Sequence, residues 1–178
     1  MGNSTKTLLI AIIAGIIILS GVAGFLYYYN EVYLYKTDYM DSVMEAAALN
    51  NVDAYLIFSI IKVESAFDAE AESAKGAIGL MQVLPSTAEY IYDIEIDKES
   101  LYLPKTNINA GSKYLSYLFT KFESVEWVLA AYNAGETITR AWINQGIAPE
   151  DVPYKETREY IKKVFKAQKR YRELYYLY

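Results

Sequence analysis

The sequence predicts an all-α domain preceded by one membrane-spanning helix, and three observations carry that expectation. Residues 8–29, LLIAIIAGIIILSGVAGFLYYY, form an apolar run without a single charge. Past a short linker, apolar residues recur at i, i+3 and i+4 through most of the chain, the period of helices with one buried face. No stretch alternates polar and apolar residues as a β-strand would, and no internal repeat is visible.

The elements follow in order. As a helix, residues 8–29 span about 33 Å, enough to cross a hydrocarbon core. Tyr27, Tyr28 and Tyr29 suit an interfacial aromatic belt. A cleaved signal peptide is the competing reading, with Gly21, Val22 and Ala23 as a loose cleavage site; the apolar run continues past it, which favours an anchor. Lys6 on the short N-terminal side points to N-inside, with the bulk of the chain outside the cell. The expected division is 1–30 for the N-terminus and anchor, 31–38 for a linker and 39–178 for the folded domain.

Within that domain, Asp53 is placed as the N-cap of a helix whose Leu56, Ile57, Ile60, Ile61 and Glu64 share a face. A loop over 66–79 follows, hinged at Gly76 and Gly79. Pro85 suits the first position of the next helix. Residues 93–103 read as polar and irregular, ending at Pro104. Helical period resumes in Ile108, Leu115, Leu118 and Phe119. Ser124 caps a further apolar helix that Gly135 closes, and a short helix ends near Gly146. A long basic helix is expected to start at Pro153.

Composition excludes several chemistries. Without cysteine there is no disulfide, thiolate metal site or lipidated cysteine. Without histidine a Ser-His-Asp triad is impossible, and the commonest zinc ligand is missing. No metal or cofactor is expected, because nothing clusters oxygen ligands as a calcium loop does. Residues 154–178 hold eight Lys/Arg against three Asp/Glu, whereas residues 7–153 hold eight against nineteen. The basic stretch reads first as a solvated helix face, and second as a contact for an anionic polymer or an acidic neighbour. An acidic body with no basic-aromatic stripe argues against a nucleic-acid partner.

Acid–base chemistry near neutral pH is thus left to a carboxyl, a lysine or a tyrosine with a displaced pKa. Glu64 fits that role. A carboxyl among aliphatics at a helix C-terminus loses hydration and meets the negative end of the helix dipole, and both raise its pKa. Such a group keeps its proton near neutrality and can donate it to a glycosidic oxygen. The plainer alternative is a surface glutamate paired with Lys62 or Lys75.

Four separated pieces give Glu64 company: ES at 64–65, SAKGAIGLMQVLPSTA at 73–88, AAYNAG at 130–135 and PYKETREYIKKV at 153–164. A weaker fifth is NINAGSKYL at 107–115. In this order they resemble the lysozyme-like lytic transglycosylases of bacterial cell walls, over about residues 39 to 165. The resemblance implies a helical fold of the goose-type lysozyme and lytic transglycosylase kind, with peptidoglycan glycan strands as substrate. It implies cleavage of the β-1,4 bond between N-acetylmuramic acid and N-acetylglucosamine, closing a 1,6-anhydro ring. Glu64 would be the single acid/base, because an intramolecular hydroxyl replaces the water or nucleophile that a second carboxylate would serve.

Carried residue by residue, the resemblance also implies substrate contacts. Ser73 would sit near the reacting centre, with loop capping as its alternative. Gly76 and Gly79 would let backbone approach the sugar. Met81 would pack on a sugar's apolar face or fill the core. Gln82 would hold an acetamido group, and Tyr132 would donate to Glu64 or to that group. Asn133 would hold the loop backbone. Glu156 and Tyr160 would contact the groove, Glu156 alternatively bracing the last helix. This chain has Ala69 after Asp68, and Glu136 after AYNAG, where the family often has proline; both concern loop stiffness. A lysozyme-type hydrolase would need a second acid, for which Asp68 and Glu72 are nearest in the chain; a non-catalytic glycan scaffold is the third reading. The implied location is a bacterial cell membrane, single-pass, with the catalytic domain extracytoplasmic. The tyrosine-rich end, YRELYYLY, is left without a role.

Overall fold

The computed structural model describes residues 2–176, so Met1 and the last two residues of the tyrosine-rich end, Leu177 and Tyr178, lie outside it. The chain divides into two units, 1–36 and 37–178.

The first unit is one helix, α1 (Asn3–Tyr28), continued by a π-helical turn at Tyr29–Tyr33. Its apolar side chains are exposed along the whole length, and it is long and apolar enough to cross a membrane. The rings of Phe25, Tyr29 and Tyr33 stack in sequence at its end.

The second unit is helical: α2 (Met40–Asn50), α3 (Ala54–Glu64), α4 (Pro85–Tyr92), α5 (Pro104–Phe119), α6 (Val125–Ala134), α7 (Glu136–Asn144) and α8 (Lys155–Leu174). Among the described residues extended pairing is limited to isolated bridges, Glu72 with Ile78 and Ile78 with Val83. At its centre lies α3, whose residues 55–61 are all buried. Each fully buried aliphatic there contributes about 1.5–3 kcal/mol. Helix α8 covers one side of α3 through Thr157, Tyr160, Ile161, Val164, Ala167 and Tyr171, a stripe at three- and four-residue spacing. The ring of Tyr171, fully buried, lies 5.5 Å from that of Phe58. Helix α5 packs against α2, α4 and α6.

The caps explain where α3 and α6 begin. Asp53 Oδ1 accepts from Tyr55 N at 3.0 Å, and its other oxygen accepts from Gln168 at 2.8 Å and from Arg172, so one carboxylate starts α3 and grips α8. Ser124 Oγ accepts from Trp127 N at 3.3 Å. Pro85 takes the first position of α4, and Gly135 closes α6 at φ +93°. Two sequence expectations need correction. Residues 93–103 are not wholly irregular, because Lys98–Tyr102 form a 3-10 helix that buries Leu101. The basic helix begins at Lys155, not at Pro153; the intervening Tyr154 is extended.

Candidate active site

Glu64 is the last residue of α3. The chain turns sharply after it, with Ala66 and Phe67 both left-handed at φ 52° and 69°. Such conformations cost about 1–2 kcal/mol for a residue with a Cβ, so they persist only where packing holds them. Phe67 is buried with its ring 6.3 Å from that of Phe58, and Ser65 Oγ lies 2.9 Å from the Leu80 carbonyl. The end of α3 is thereby tied to the loop that follows.

Asn107 of α5 organises that loop. Fully buried, it accepts from Met81 N at 2.8 Å and donates to the carbonyls of Ile78 at 2.7 Å and Leu101 at 2.8 Å. Gly79, at φ +71°, lies directly against it: a Cβ there would come within 2.6 Å of Asn107 Nδ2 and 2.9 Å of the Leu101 carbonyl oxygen. Gln82 is held left-handed at φ 49°, and its Nε2 donates to the carbonyls of Ala71 and Gly79, each at 3.1 Å. Ser73 Oγ accepts from Ala77 N at 3.0 Å.

Loop, α3, α6 and α8 together enclose a cavity of about 330 Å³ into which Glu64, Ser73, Gln82, Tyr132, Asn133 and Glu156 open. A second cavity of about 250 Å³ shares Gln82, Tyr132 and Asn133 with it and extends to Thr87 of α4 and Tyr114 of α5. Two larger cavities, of about 760 and 440 Å³, lie along α2, α4 and α5 and do not include Glu64.

Burial pushes the Glu64 carboxyl up to about 7; the Tyr160 hydroxyl works against that rise, and the negative charge of Glu156 adds to it. Tyr160 is 6% exposed, and its hydroxyl lies close enough to Glu64 to favour the carboxylate, yet it makes no hydrogen bond of normal geometry to any described group. The Tyr132 hydroxyl donates to the Met81 carbonyl at 2.8 Å. Burial pushes the Tyr132 phenol well above its usual range, reinforced by Glu64 and Tyr114. Both phenols therefore stay neutral at any ordinary pH.

The sequence-predicted residues separate into two groups. Glu64, Ser73, Gln82, Tyr132, Asn133 and Glu156 meet at the cavity, and Tyr160 stands directly behind Glu64. Glu64 has neither Lys62 nor Lys75 as an ion-pair partner among the pairs formed by described residues. Met81 and Gly79 do not line it. Met81 is fully buried against Gly111, where a Cβ would meet its sulfur at 2.6 Å, so its side chain is core and only its backbone serves the site. Gly79 is needed for close packing on Asn107 and the Leu101 carbonyl. The Tyr132 hydroxyl donates to the Met81 carbonyl, not to Glu64. Asn133 accepts from Thr157 at 2.8 Å, tying α6 to α8 instead of holding its own loop. Neither suggested second acid reaches the cavity: Asp68 caps Glu70 N at 2.9 Å, and Glu72 pairs with Lys98 at 2.9 Å and Tyr102 at 2.6 Å. Sequence reading missed Asn107 and Tyr114 as site residues, although both fall within the NINAGSKYL piece.

Comparison with known proteins agrees with this arrangement. Residues 41–153, more than half the chain, match the family described as the transglycosylase SLT domain. The chain belongs to that family. The soluble lytic murein transglycosylase of Escherichia coli K12 is 35% identical over 127 residues, covering 64% of this chain and 20% of that protein. The membrane-bound lytic murein transglycosylase C of Actinobacillus pleuropneumoniae serotype 5b is 32% identical over 170 residues, covering 75% of this chain and 45% of that one. Among solved structures, the 70 kDa soluble lytic transglycosylase of Escherichia coli superimposes with a TM-score of 0.72 at 30% identity, over 78% of this chain and 25% of that one. An inactive glutamate-to-glutamine mutant of lytic transglycosylase Slt from Pseudomonas aeruginosa gives 0.71 at 30%, over 79% and 25%. The SLT domain here thus has the lysozyme-like helical fold of those enzymes, and the chain spans from a fifth to about half the length of these curated relatives.

Proposed function

We propose that this SLT-domain protein is a membrane-anchored peptidoglycan lytic transglycosylase that uses Glu64 as its single acid/base. The observation that carries the reading is a carboxyl held near a pKa of 7 by burial at a cavity lined by Ser73, Gln82, Tyr132 and Asn133 together with the charged Lys75 and Glu156. A group poised there can both give and take a proton at neutral pH.

The steps balance on that one carboxyl. Neutral Glu64 donates its proton to the oxygen bridging N-acetylmuramic acid and N-acetylglucosamine as the muramoyl C1–oxygen bond breaks. The muramoyl C6 hydroxyl oxygen then bonds to C1, and its proton passes to the Glu64 carboxylate. Two tyrosines suit the two states. The Tyr132 hydroxyl, its one donor engaged by the Met81 carbonyl, can only accept toward Glu64, which favours neutral Glu64. The Tyr160 hydroxyl, without another partner, can donate to the carboxylate once it forms. Gln82, with Nε2 spent on backbone carbonyls, offers Oε1 as acceptor to an acetamido N–H. Ser73, Asn133 and Glu156 complete the polar wall. The membrane-spanning role of α1, a single pass and an extracytoplasmic domain belong to the same proposal, supported by the length and apolarity of α1 and by relatives named membrane-bound.

The deciding experiment digests purified peptidoglycan with the full chain in detergent and analyses products by mass spectrometry. Ends carrying 1,6-anhydromuramic acid support the transglycosylase. Reducing ends alone would mean attack by water, and Glu156 would then be the carboxylate placed at the cavity to direct it.

A further inference from the structure

Helix α8 packs one stripe on α3, and the opposite face is charged from end to end. Lys155, Glu159, Lys162, Lys166, Lys169 and Glu173 recur there at three- and four-residue spacing, and all are exposed. In the middle of that face the charges share one sign. The four helical neighbours of Lys166, three and four residues before and after it, are Lys162, Lys163, Lys169 and Arg170. Like charges at these spacings destabilise a helix. Lys162 reaches Glu159 at 3.4 Å and Arg170 pairs with Glu173 at 2.6 Å. Lys163, Lys166 and Lys169 form no ion pair with a described residue. The cluster therefore weakens α8 without a compensating contact among the described residues.

Resting on the reading of α1 as a membrane anchor, we propose that this cluster docks on the anionic phospholipid headgroups of the bilayer that α1 crosses. Reach is the first argument. The chain from Tyr33 to Met40 is all that joins the anchor to α2, and it extends to at most about 25 Å. The domain thus never leaves the neighbourhood of the lipid surface. Charge is the second argument. Residues 154–178 hold eight Lys/Arg against three Asp/Glu, and residues 7–153 hold eight against nineteen. A negative bilayer repels the acidic body and attracts the basic helix, so a tethered domain turns α8 toward the lipid.

The chemistry of the face is the third argument. It carries no apolar side chain to insert between acyl chains, and compact, hydrated lysine ammonium groups suit phosphates at headgroup level. A soluble polyanion would meet the same lysines, but it lacks the tether and has to be captured from solution against an acidic body. Glu156, in the first turn of the same helix, opens into the Glu64 cavity. Docking of α8 thereby fixes how that cavity is presented to the glycan.

The test uses the full chain reconstituted through α1 into nanodiscs of pure phosphatidylcholine or of phosphatidylcholine mixed with phosphatidylglycerol. The chain has no cysteine, so Glu159→Cys carries a single fluorophore on the outer face of α8, read by quenching from lipids with a nitroxide headgroup. Quenching should be strong on the mixed discs and weak on pure phosphatidylcholine. It should vanish in about 1 M salt, where the screening length falls to about 3 Å. In the same background, Lys163→Gln/Lys166→Gln/Lys169→Gln should lower the docked-to-undocked ratio about a hundredfold, the loss expected of three lysines at a charged surface. Arginine at the three positions keeps the charge and should retain the quenching. The glutamine variant should melt no lower than wild type in detergent, because it relieves like-charge repulsion. Quenching equal on the two lipids, or surviving the three glutamines, overturns the proposal. So does release of the helix by soluble poly(glycerol phosphate) at matched phosphate concentration, which would make a polymer the preferred occupant. Failure of the chain to co-elute with either disc would instead remove the anchor reading, and this one with it. None of these outcomes depends on whether Glu64 turns over glycan.

Discussion

The Tyr160 hydroxyl is buried beside the Glu64 carboxyl, close enough to stabilise its anion, and makes no hydrogen bond of normal geometry to any described group. A polar group left unsatisfied in a folded interior costs about 1–3 kcal/mol. On the proposed mechanism, the Glu64 anion is the state of the site that this hydroxyl would satisfy.

Glu64→Gln should therefore lower the rate of anhydromuramoyl product formation at least about a hundredfold, within the range of a lost general acid. Binding of glycan should survive, because the amide has almost the same shape. Wild-type turnover by the variant would remove Glu64 from the mechanism.

The neighbours of Glu64 should move its titration in opposite directions. Tyr160 stabilises the anion, so Tyr160→Phe should shift the alkaline limb of kcat/KM to higher pH. Glu156 destabilises the anion, so Glu156→Gln should shift that limb to lower pH. A pH–rate series on the two variants checks the pair, and loss of activity without any shift would mean that they act only on shape.

Stability should carry the same signature. The folded pKa of Glu64 is raised from 4.5 to about 7, so its favourable contribution is full below pH 4.5 and is lost as pH rises through 7. Glu64→Gln should match wild type in thermal melts near pH 4 and exceed it near pH 8, by about 3 kcal/mol at most. Equal stability at both pH values would place the carboxyl in water.

Two glycines of the loop should respond unequally to alanine. Gly76 and Gly79 both have positive φ, so each substitution incurs the left-handed cost of about 1–2 kcal/mol. Gly76→Ala meets nothing within 4 Å and should stop there. Gly79→Ala drives a methyl into Asn107 and the Leu101 carbonyl and should lose a further 1–3 kcal/mol or so. Denaturant titration of both variants measures the difference.

What the sequence disclosed was mostly local. Asp53, Ser124, Pro85 and Gly135 announce helix ends through contacts within a few residues, and all four stand where spacing placed them. Glu64 was legible because it ends a helix that is apolar nearly throughout and buried from 55 to 61. For Met81 the sequence left sugar contact and core filling both open, and for Gly79 it did not show the packing on Asn107, because their surroundings come from α5, remote in sequence. A motif gives no sign of whether a residue faces the ligand or the core behind it. Asn107 was missed for the same reason: its three partners lie on two other segments of the chain. Glu72 looked available as a second acid, but Lys98 and Tyr102 turn it to another surface.

The Met81 backbone is gripped from both sides, its N–H by Asn107 of α5 and its carbonyl by Tyr132 of α6. Neither helix is adjacent to the loop in sequence, so the wall opposite Glu64 cannot assemble until both have docked. The pocket is consequently complete only with both helices in place: α3 alone carries the carboxyl, and the surface it faces is borrowed from α5 and α6.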